Sequence, residues 1–288
     1  MKQHESSLPP GLTLVATPIG NARDITLRAL DVLSSADVLA AEDTRSLRKL
    51  LEIHGISLGG RPVLAYHEHN GAKMRPQILA AMAEGKSVAY ASEAGTPMIS
   101  DPGFDLARAA TEAGHPVTSA PGAAAVVTAL TLAGLPTDRF LFAGFLPNQQ
   151  SARRRTLEEL AGVPATLVFY ESPRRLAAML RDAEAALGAE RQGAVARELT
   201  KKFEEVRRGS LGELAEFYEN SAARGEVVVL IDRGRLENVS GSDVTRALEE
   251  ALQTMSVRDA ADYVAQMLGV KKRPVYQEAM MLAKELRE

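Results

Sequence analysis

The sequence contains no cysteine and no long apolar run. Without cysteine the protein has no disulfide, no thiolate metal site and no cysteine nucleophile, which is typical of proteins from a reducing cytoplasm. No apolar run reaches the roughly 18 residues that a membrane span requires, and the polar start MKQHESSLPPG lacks the pattern of a signal segment. We therefore expect a cytoplasmic protein with no membrane contact.

The chain also lacks an excess of charge of either sign. It carries 34 Lys and Arg residues against 37 Asp and Glu residues, a formal net charge of −3. Proteins that coat nucleic acid by bulk attraction are strongly positive, so any contact with nucleic acid must be a local patch. The 45% hydrophobic and 25% charged residues are those of an ordinary globular protein. At 288 residues we expect about two domains.

Short β-rich runs alternate with helical patterns in the first part of the chain. This β-α-β order predicts a mainly parallel sheet, with ligands bound beyond the carboxyl ends of its strands. Three of the helical patterns end at Gly55, Gly85 and Gly114, which suit the left-handed C-cap position. The predicted strands are Leu12–Ala16, Asp37–Ala40, Val63–Tyr66, Ser87–Ala91 and Pro116–Ser119.

A second α/β block follows, with predicted strands Phe140–Ala143, Ala165–Glu171, Gly193–Arg197, Glu204–Arg207 and Val227–Ile231. Too few residues separate the third of these strands from the fourth for a crossover helix, which predicts antiparallel pairs. After a turn-rich break come three short predicted helices, the last two with a helix-turn-helix pattern. We therefore predict an α/β fold with a disordered N-terminus at 1–11, a parallel-sheet domain at 12–122, a mixed-sheet domain at 123–235 and a helical tail at 242–288.

Three loops at predicted strand ends are candidate binding loops. The first, TPIGN at 17–21, is neither GxGxxG nor a Walker A motif, and taken alone it also fits an ordinary tight turn. The second, SEAGTPMISDPG at 92–103, is far longer than the usual roughly 2–6 residues of such connections, although its Asp101 would also serve as a helix cap. The third, APGAA at 120–124, is built of small residues that let another molecule or backbone pack closely.

Polar clusters follow the second and third strands. In AEDTR at 41–45, Asp43 or Thr44 also fits a helix N-cap. In YHEHN at 66–70, a strand that continued to His69 would place Tyr66 and Glu68 on one face and both histidines on the other. His67, His69 and Asp43 are possible metal ligands, but no HExxH or cysteine accompanies them, and we predict no metal.

These motifs, with FAGFLP at 142–147 and YESPRRL at 170–176, resemble in order and spacing the ribosomal RNA small-subunit methyltransferase I family of the tetrapyrrole methylase superfamily. The tail resembles the C-terminal segment of that family. The resemblance implies two α/β domains with a cofactor cleft between them, and a homodimer. It also implies methyl transfer from S-adenosylmethionine to the ribose 2′-oxygen of a cytidine in the decoding region of small-subunit ribosomal RNA.

The same resemblance implies a set of cofactor residues, drawn from the three loops and from the second domain. Adenine and the thioether need apolar walls, while the amino-acid and ribose ends need a few fixed polar groups. We expect a side chain at Gly95 or Gly122 to collide with the cofactor or with the backbone that supports it. The implied residues are Pro18, Gly20, Ser92, Glu93, Ala94, Gly95, Thr96, Pro97, Asp101, Ala123, Ala124, Phe145, Leu146, Tyr170 and Glu171.

A ribose hydroxyl must lose its proton as it attacks the methyl carbon, so a carboxylate or neutral imidazole nearby would help. The candidate catalytic residues are Asp43, His67 and Glu68, and the sequence leaves the choice among them open. The expected partner is small-subunit ribosomal RNA or the assembled small subunit. Arg45 and Asn70 suit phosphates and base edges, and basic residues elsewhere suit an RNA track, although each alone also fits a solvated face. These further basic residues are Arg153, Arg154, Arg174, Lys201, Lys271, Lys272 and Arg273.

Two other functions use the same fold. One is methylation of a small tetrapyrrole, and the other is RNA binding by a scaffold without catalytic activity. The tail and the AEDTR and YHEHN clusters favour the RNA-modifying branch over the first, and intact loops at all the expected positions argue against the second.

Overall fold

The computed structural model describes residues 8–99, 103–234, 241–270 and 272–285. All ten predicted strands are present, and helices separate most of them. The predicted α/β fold class is confirmed.

The first sheet has the strand order β3-β2-β4-β1-β5. Every neighbouring pair in it is parallel, as the β-α-β order predicts. The loops that follow β1, β4 and β5 therefore leave adjacent strands at the same edge of the sheet. Its strands are β1 (Gly11–Val15), β2 (Val38–Ala41), β3 (Val63–Ala65), β4 (Ser87–Ala91) and β5 (Val117–Ala120).

Helices cover both faces of this sheet because alternate strand residues face opposite sides. In β4, Val88 and Tyr90 belong to one core, whereas Ala89 and Ala91 belong to the other. The first core includes buried residues of α3 and α4, and the second includes those of α1 and α2. The helices of this part are α1 (Leu27–Ser35), α2 (Thr44–Ile53), α3 (Gly71–Ala83), α4 (Gly103–Glu112) and α5 (Ala125–Ala133).

The predicted glycine caps adopt left-handed backbone conformations. The φ angles are +66° at Gly55, +82° at Gly85 and +78° at Gly114. Glycine reaches this region without the steric cost of a Cβ atom. The prediction from sequence is confirmed at all three positions.

The expectation of a disordered N-terminus over 1–11 is wrong for the residues of that range that the structure describes, 8–11. Leu8 packs against the second core, and Gly11 is the first residue of β1. Gly11 has a φ of +128°, and a Cβ atom there would lie 2.5 Å from the carbonyl oxygen of Pro116. The strand thus begins at a position that only glycine fits. Residues 1–7 lie outside the described residues.

The second sheet has the order β6-β7-β10-β8-β9 and is mixed. β6 and β7 are parallel, whereas β7 and β10 are antiparallel, which confirms the predicted presence of antiparallel pairs. Its core contains buried residues of α6, α7 and α8. The elements are β6 (Phe140–Phe145), α6 (Gln150–Leu160), β7 (Thr166–Glu171), α7 (Leu176–Leu187), β8 (Gln192–Arg197), β9 (Glu205–Ser210), α8 (Leu211–Asn220) and β10 (Val227–Ile231).

The tail contains the three predicted helices, α9 (Gly241–Leu252), α10 (Val257–Leu268) and α11 (Lys272–Glu285). They pack around a hydrophobic core of their own, which includes Leu248, Val264 and Ala279. Ser256 caps the start of α10, and Gly269 ends it in the left-handed conformation. The tail therefore contains the helix, the turn and the second helix that a helix-turn-helix requires.

By packing, the chain divides into two compact units, Met1–Leu132 with Arg197–Glu205, and Ala133–Ala196 with Val206–Glu288. The division falls after Leu132, and the connection between β8 and β9 is grouped with the first unit. These units describe packing and do not test which parts fold independently. The domain limits predicted from sequence therefore stay predictions. In the described ranges, no helix has the length and apolar character needed to cross a membrane.

Candidate functional site

The loops that follow β1 and β4 are hydrogen-bonded to each other. The backbone N–H of Thr17 donates to the carbonyl of Gly95 at 2.9 Å, and the N–H of Gly95 donates back to the carbonyl of Thr17 at 3.1 Å. This pair forms an isolated antiparallel bridge beyond the parallel sheet. The first two predicted binding loops therefore form one continuous surface.

Hydroxyl groups tie the third loop to the same surface. Ser92 Oγ donates to the carbonyl of Gly95 at 2.5 Å, and Thr96 Oγ1 donates to the carbonyl of Ala123 at 2.9 Å. Thr17 Oγ1 donates to the carbonyl of Ser92 at 3.2 Å. These hydrogen bonds connect the three loops to one another, and Glu93 of the second loop is exposed.

Two glycines in these loops are required by the packing of the protein itself. Gly95 has a φ of +81°, and a Cβ atom there would lie 3.1 Å from Cγ2 of Ile19. At Gly122 a Cβ atom would lie 3.0 Å from Cβ of Ala16. The structure thus gives both positions a reason to be glycine in the support of the loops, while contact with a cofactor stays a prediction.

The connection between β8 and β9 docks on the first loop through Gly20. A Cβ atom at Gly20 would lie 2.6 Å from Cγ of Lys201, 2.7 Å from Oγ1 of Thr200 and 2.9 Å from the carbonyl oxygen of Leu199. The backbone N–H of Asn21 donates to Thr200 Oγ1 at 3.0 Å. The sequence analysis missed this contact, because no periodic pattern links positions so far apart in the chain.

The candidate base Asp43 is the N-cap of α2. Its carboxylate accepts hydrogen bonds from the backbone N–H groups of Arg45 at 2.7 Å and Ser46 at 3.4 Å. The Arg45 guanidinium is 90% exposed and lies 3.0 Å from the same carboxylate. The hydrogen bond from the Arg45 side chain, followed by that from its backbone, lowers the pKa of Asp43.

The YHEHN segment forms a turn, because β3 ends at Ala65. The strand does not continue to His69, so the condition for alternating side chains through this segment is not met. Asn70 closes the turn, since its Oδ1 accepts from the backbone N–H of His67 at 2.9 Å and its Nδ2 donates to the carbonyl of Ala65 at 3.0 Å. Both ends of the Asn70 amide thus bind the backbone.

The three charged or ionisable side chains of this turn differ in their surroundings. The rings of His67 and His69 are 6.1 Å apart and meet edge to face. Nδ1 of His67 is buried and has no hydrogen-bond partner among the residues that the structure describes. Glu68 is exposed. In the same described ranges, no cluster of three or more His, Asp or Glu side chains is placed to hold a metal ion.

The second unit, taken by itself, contains an aromatic group and a buried carboxylate that belong to the predicted cofactor set. The Tyr170 ring lies 4.8 Å from the ring of Phe142 and 5.7 Å from that of Phe145, which is 56% exposed. Leu146 is buried in the core of this unit. Phe145 and Tyr170 therefore present apolar surface, whereas the Leu146 side chain belongs to the core.

Glu171 is the buried carboxylate, with a side chain that is 1% exposed. Its Oε1 accepts from the backbone N–H of Ser172 at 2.7 Å and lies 3.2 Å from Nε of Arg175. Its Oε2 has no hydrogen-bond partner in the described part of the chain. Burial raises the pKa of Glu171 despite these partners. An acceptor without a partner in a protein interior is suited to a polar ligand group.

Arg153 occupies a structural position. It is 5% exposed, and its Nε donates to Asp182 Oδ2 at 2.7 Å. Arg154, on the same helix, donates to Asp182 Oδ1 at 2.6 Å but remains half-exposed. Because its guanidinium is buried, Arg153 is a poor candidate for contact with RNA.

The other predicted basic contacts vary in exposure and pairing. Arg174 and Arg273 are exposed. Lys201 forms an ion pair with Glu198 at 2.9 Å, and Lys272 forms one with Asp262. Asp101 and Lys271 lie outside the described residues.

Comparisons with known proteins identify the family of the chain. The family of Tetrapyrrole (Corrin/Porphyrin) Methylases matches residues 11–215, and the RsmI C-terminal HTH domain matches residues 238–283. A Ribosomal RNA small subunit methyltransferase I from Mesorhizobium japonicum is 47% identical over 96% of this chain and 93% of its own length. The protein of the same name from Escherichia coli O157:H7 is 41% identical over 97% of this chain and 99% of its own length.

A solved structure gives the same fold. It is a uroporphyrin-III C-methyl transferase from Thermus thermophilus complexed with S-adenyl homocysteine. Its identity to this chain is 20%, its TM-score is 0.54, and the match covers 77% of this chain and 97% of that one. This likeness concerns the fold alone. The family match and the two relatives establish that the chain belongs to the tetrapyrrole methylases and, within them, to the ribosomal RNA small subunit methyltransferase I family.

Proposed function

We propose that this protein transfers a methyl group from S-adenosylmethionine to the ribose 2′-hydroxyl of a cytidine in the decoding region of small-subunit ribosomal RNA. The observation that carries the proposal is the identity of 47% and 41% to relatives named for small-subunit ribosomal RNA, over nearly the whole chain. The hydrogen-bonded loops at the carboxyl edge of the first sheet are a suitable location for this activity.

Each unit, taken by itself, has residues of the kind that a methyl donor needs. When bound, S-adenosylmethionine supplies an electrophilic methyl carbon on a sulfonium. The loop residues Ser92–Pro97 and Ala123–Ala124 hold backbone groups in fixed positions for its polar ends, with Pro18 and Gly20 in the adjoining loop. Phe145 and Tyr170 supply apolar surface, and the free Oε2 of buried Glu171 is an acceptor for a ligand hydroxyl or amine.

Of the candidate bases, His67 is the best suited. The fold already uses the Asp43 carboxylate as a helix cap and lowers its pKa, which makes it a weak proton acceptor. The His67 backbone is fixed by Asn70, and its side chain is only partly buried, so the imidazole is anchored without being fully enclosed. The His67 imidazole would accept the proton of the 2′-hydroxyl as that oxygen takes up the methyl group, for which the sulfonium sulfur is the leaving atom.

The partner is small-subunit ribosomal RNA or the assembled small subunit, which places the protein in the cytoplasm. We expect exposed or half-exposed cations to make the phosphate contacts, because charge-assisted hydrogen bonds to phosphate need accessible donors. We retain Arg45, Arg154, Arg174, Lys201, Lys272 and Arg273 as these contacts, and Lys271 as a prediction outside the described residues.

We also propose a homodimer. β6 is an edge strand of the second sheet, and its residues Phe140 and Leu141 are 47% and 36% exposed. Edge strands with exposed apolar side chains are suited to pairing with another chain. Light scattering across a concentration series should give twice the mass of 30.9 kDa. A monomeric mass at every concentration would refute the dimer.

A direct assay tests the proposed reaction against its alternatives. Purified protein is incubated with methyl-labelled S-adenosylmethionine and either small ribosomal subunits from cells lacking the gene or uroporphyrinogen. We expect label in the ribosomal RNA alone. Label in uroporphyrinogen would favour the small-molecule methylase, and binding of RNA without transfer would favour a scaffold without catalytic activity.

A further inference from the structure

Phe203 is an aromatic side chain that the fold leaves in solvent. It is 65% exposed, and it lies near the tip of the connection between β8 and β9. Among the large hydrophobic side chains that the structure describes, it has the highest exposure. Nζ of Lys202 lies 5.5 Å from the centre of its ring, which places a cation beside the aromatic face.

The connection that carries Phe203 is held in a defined shape. Its residues Glu198 and Thr200 have φ angles of +52° and +63°, which are uncommon for residues with a side chain and exceptional for β-branched threonine. The backbone N–H of Thr200 donates to Glu204 Oε2 at 2.6 Å, and that of Glu204 donates to the carbonyl of Lys201 at 3.1 Å. Strained backbone of this kind persists where surrounding contacts enforce it, often at functional sites.

The connection also lies against the candidate cofactor loops. Thr200 accepts the hydrogen bond from Asn21, and Gly20 packs on the segment Leu199–Lys201. Phe203 is only three residues beyond Thr200, a span of at most about 11 Å of chain. The aromatic ring is therefore held within a short distance of the first loop of the site.

The cation beside the ring favours a nucleic-acid partner over an apolar one. The carboxylates on this connection are engaged internally, since Glu198 pairs with Lys201, Glu205 pairs with Arg197 and Glu204 binds the backbone of Thr200. Lys202 remains exposed beside the ring. An exposed aromatic face with an adjacent cation is the combination that binds an unpaired base and its phosphate in single-stranded RNA.

We propose that Phe203 is a stacking platform for an unpaired base of the RNA substrate, and that Lys202 contacts a neighbouring phosphate. The proposal rests on the proposed function and adds to it a recognition element that the basic residues alone do not provide. The site would take a flipped or single-stranded nucleotide next to the one that is methylated.

The test compares Phe203→Ala, Phe203→Leu and Phe203→Tyr in the full-length protein. Ile53→Ala is the matched control, because Ile53 is also an exposed apolar residue of the first unit, at 55%, but lies at the last position of α2. Ile53 lies outside the connection between β8 and β9 that carries Phe203. Affinity is measured by fluorescence anisotropy with a labelled short oligocytidylate, and KM with small ribosomal subunits.

Phe203→Ala should weaken oligocytidylate binding by about 5- to 150-fold, since one base–aromatic stack is lost. The oligocytidylate affinity of Phe203→Leu should fall by a similar factor, because leucine has no aromatic face. Phe203→Tyr and Ile53→Ala should keep the affinity of the unaltered protein. Binding of S-adenosylmethionine should not change. Lys202→Ala should flatten the salt dependence of RNA binding by about 0.7 in the logarithmic slope, whereas Phe203→Ala should leave that slope unchanged.

Two results would overturn the proposal while the proposed function stands. Normal oligocytidylate affinity in Phe203→Leu would mean that the side chain makes an apolar contact rather than a stack. A change in the mass of the oligomer in Phe203→Ala, seen by light scattering, would mean that Phe203 contacts a second copy of the chain. If the unaltered protein methylates no small subunit at all, the proposed function is wrong. The methyl-transfer assay shows this independently of oligocytidylate binding.

Discussion

At the scale of single residues, the candidate catalytic groups differ in how much of their bonding capacity the fold already uses. Asp43 accepts two backbone hydrogen bonds and pairs with Arg45, so it stabilises the start of α2. Asn70 uses its amide to hold the turn that carries His67. His67 itself retains an unpaired ring nitrogen in the described structure. Because the fold uses the other two groups in this way, we propose the imidazole as the proton acceptor.

Substitution of the candidate bases should separate chemistry from structure. His67→Ala should lower the rate of methyl transfer by about 10²–10⁴-fold, because a general base contributes about that much. Asp43→Asn should lower it only a few-fold, since asparagine is an equally good N-cap, and Glu68→Gln should do likewise. Affinity for S-adenosylmethionine, measured by calorimetry, should be nearly unchanged in all of them. Equal, few-fold losses at every position would mean that positioning of the reactants supplies the rate.

At the scale of elements, the three loops act as one hydrogen-bonded layer, and Gly95 is at its centre. Gly95→Val should abolish binding of S-adenosylmethionine, because a branched side chain meets Ile19 and cannot easily adopt a φ of +81°. Gly85→Val is the matched control. Gly85 has a φ of +82°, but a Cβ atom there has no neighbour within 4 Å.

Calorimetry and thermal unfolding of both variants distinguish local from global effects. We expect both to lose some stability, because both strain the backbone, and only Gly95→Val to lose cofactor binding. Cofactor affinity at the level of the unaltered protein in folded Gly95→Val would remove this loop from the site.

The second feature at this scale is the pair of ionic contacts that Arg153 and Arg154 of α6 make with Asp182 of α7. Burial opposes ionisation of Asp182, but hydrogen bonds from Arg154 and Arg153 outweigh it and lower the pKa of the carboxyl. The folded state therefore keeps Asp182 charged where the unfolded chain protonates it. This contribution to stability is complete above the ordinary pKa of 3.8 and is lost as the pH falls through the lower pKa of the folded state.

Asp182→Asn should destabilise the protein by about 3–5 kcal/mol, because it leaves the buried Arg153 without its counter-charge. It should also reduce the loss of stability on acidification. Urea unfolding at neutral pH and across the acid range measures both. Glu159→Gln, which breaks the exposed pair with Arg155 on the same helix, should have little effect. Equal effects of the two substitutions would contradict the structural position given to Arg153 and Asp182.

Local patterns in the sequence predict the elements well and the contacts between distant loops poorly. The strands and the caps at Gly55, Gly85 and Gly114 follow from short-range periodicity and backbone sterics. The burial of Arg153 and the docking of Thr200 on Asn21 depend on segments that meet only in the folded chain. The turn at His67 was open to prediction, because an asparagine next to a strand end is a common turn former.

At the scale of the whole molecule, the tail is a separate structural part with its own core. The segment 242–288 has 7 Lys and Arg residues against 8 Asp and Glu residues, so its contact with RNA must use a local face such as 271–273. A chain that ends before α9 should keep affinity for S-adenosylmethionine and lose most of its affinity for small subunits. The salt dependence of binding should flatten as well, since phosphate contacts are lost. A truncated chain that methylates subunits at the full rate would show that the tail has no part in recognition.

The central claim is that this chain methylates the ribose of a cytidine in the decoding region of small-subunit ribosomal RNA. Mass spectrometry of nuclease fragments of that RNA, from cells with and without the gene, tests it most directly. We expect one cytidine in the decoding region to be lighter by a single methyl group on its ribose when the gene is absent, and the methyl group to return when the gene is restored. Identical fragments from both kinds of cell, or a missing methyl group on a base instead of a ribose, would contradict the account.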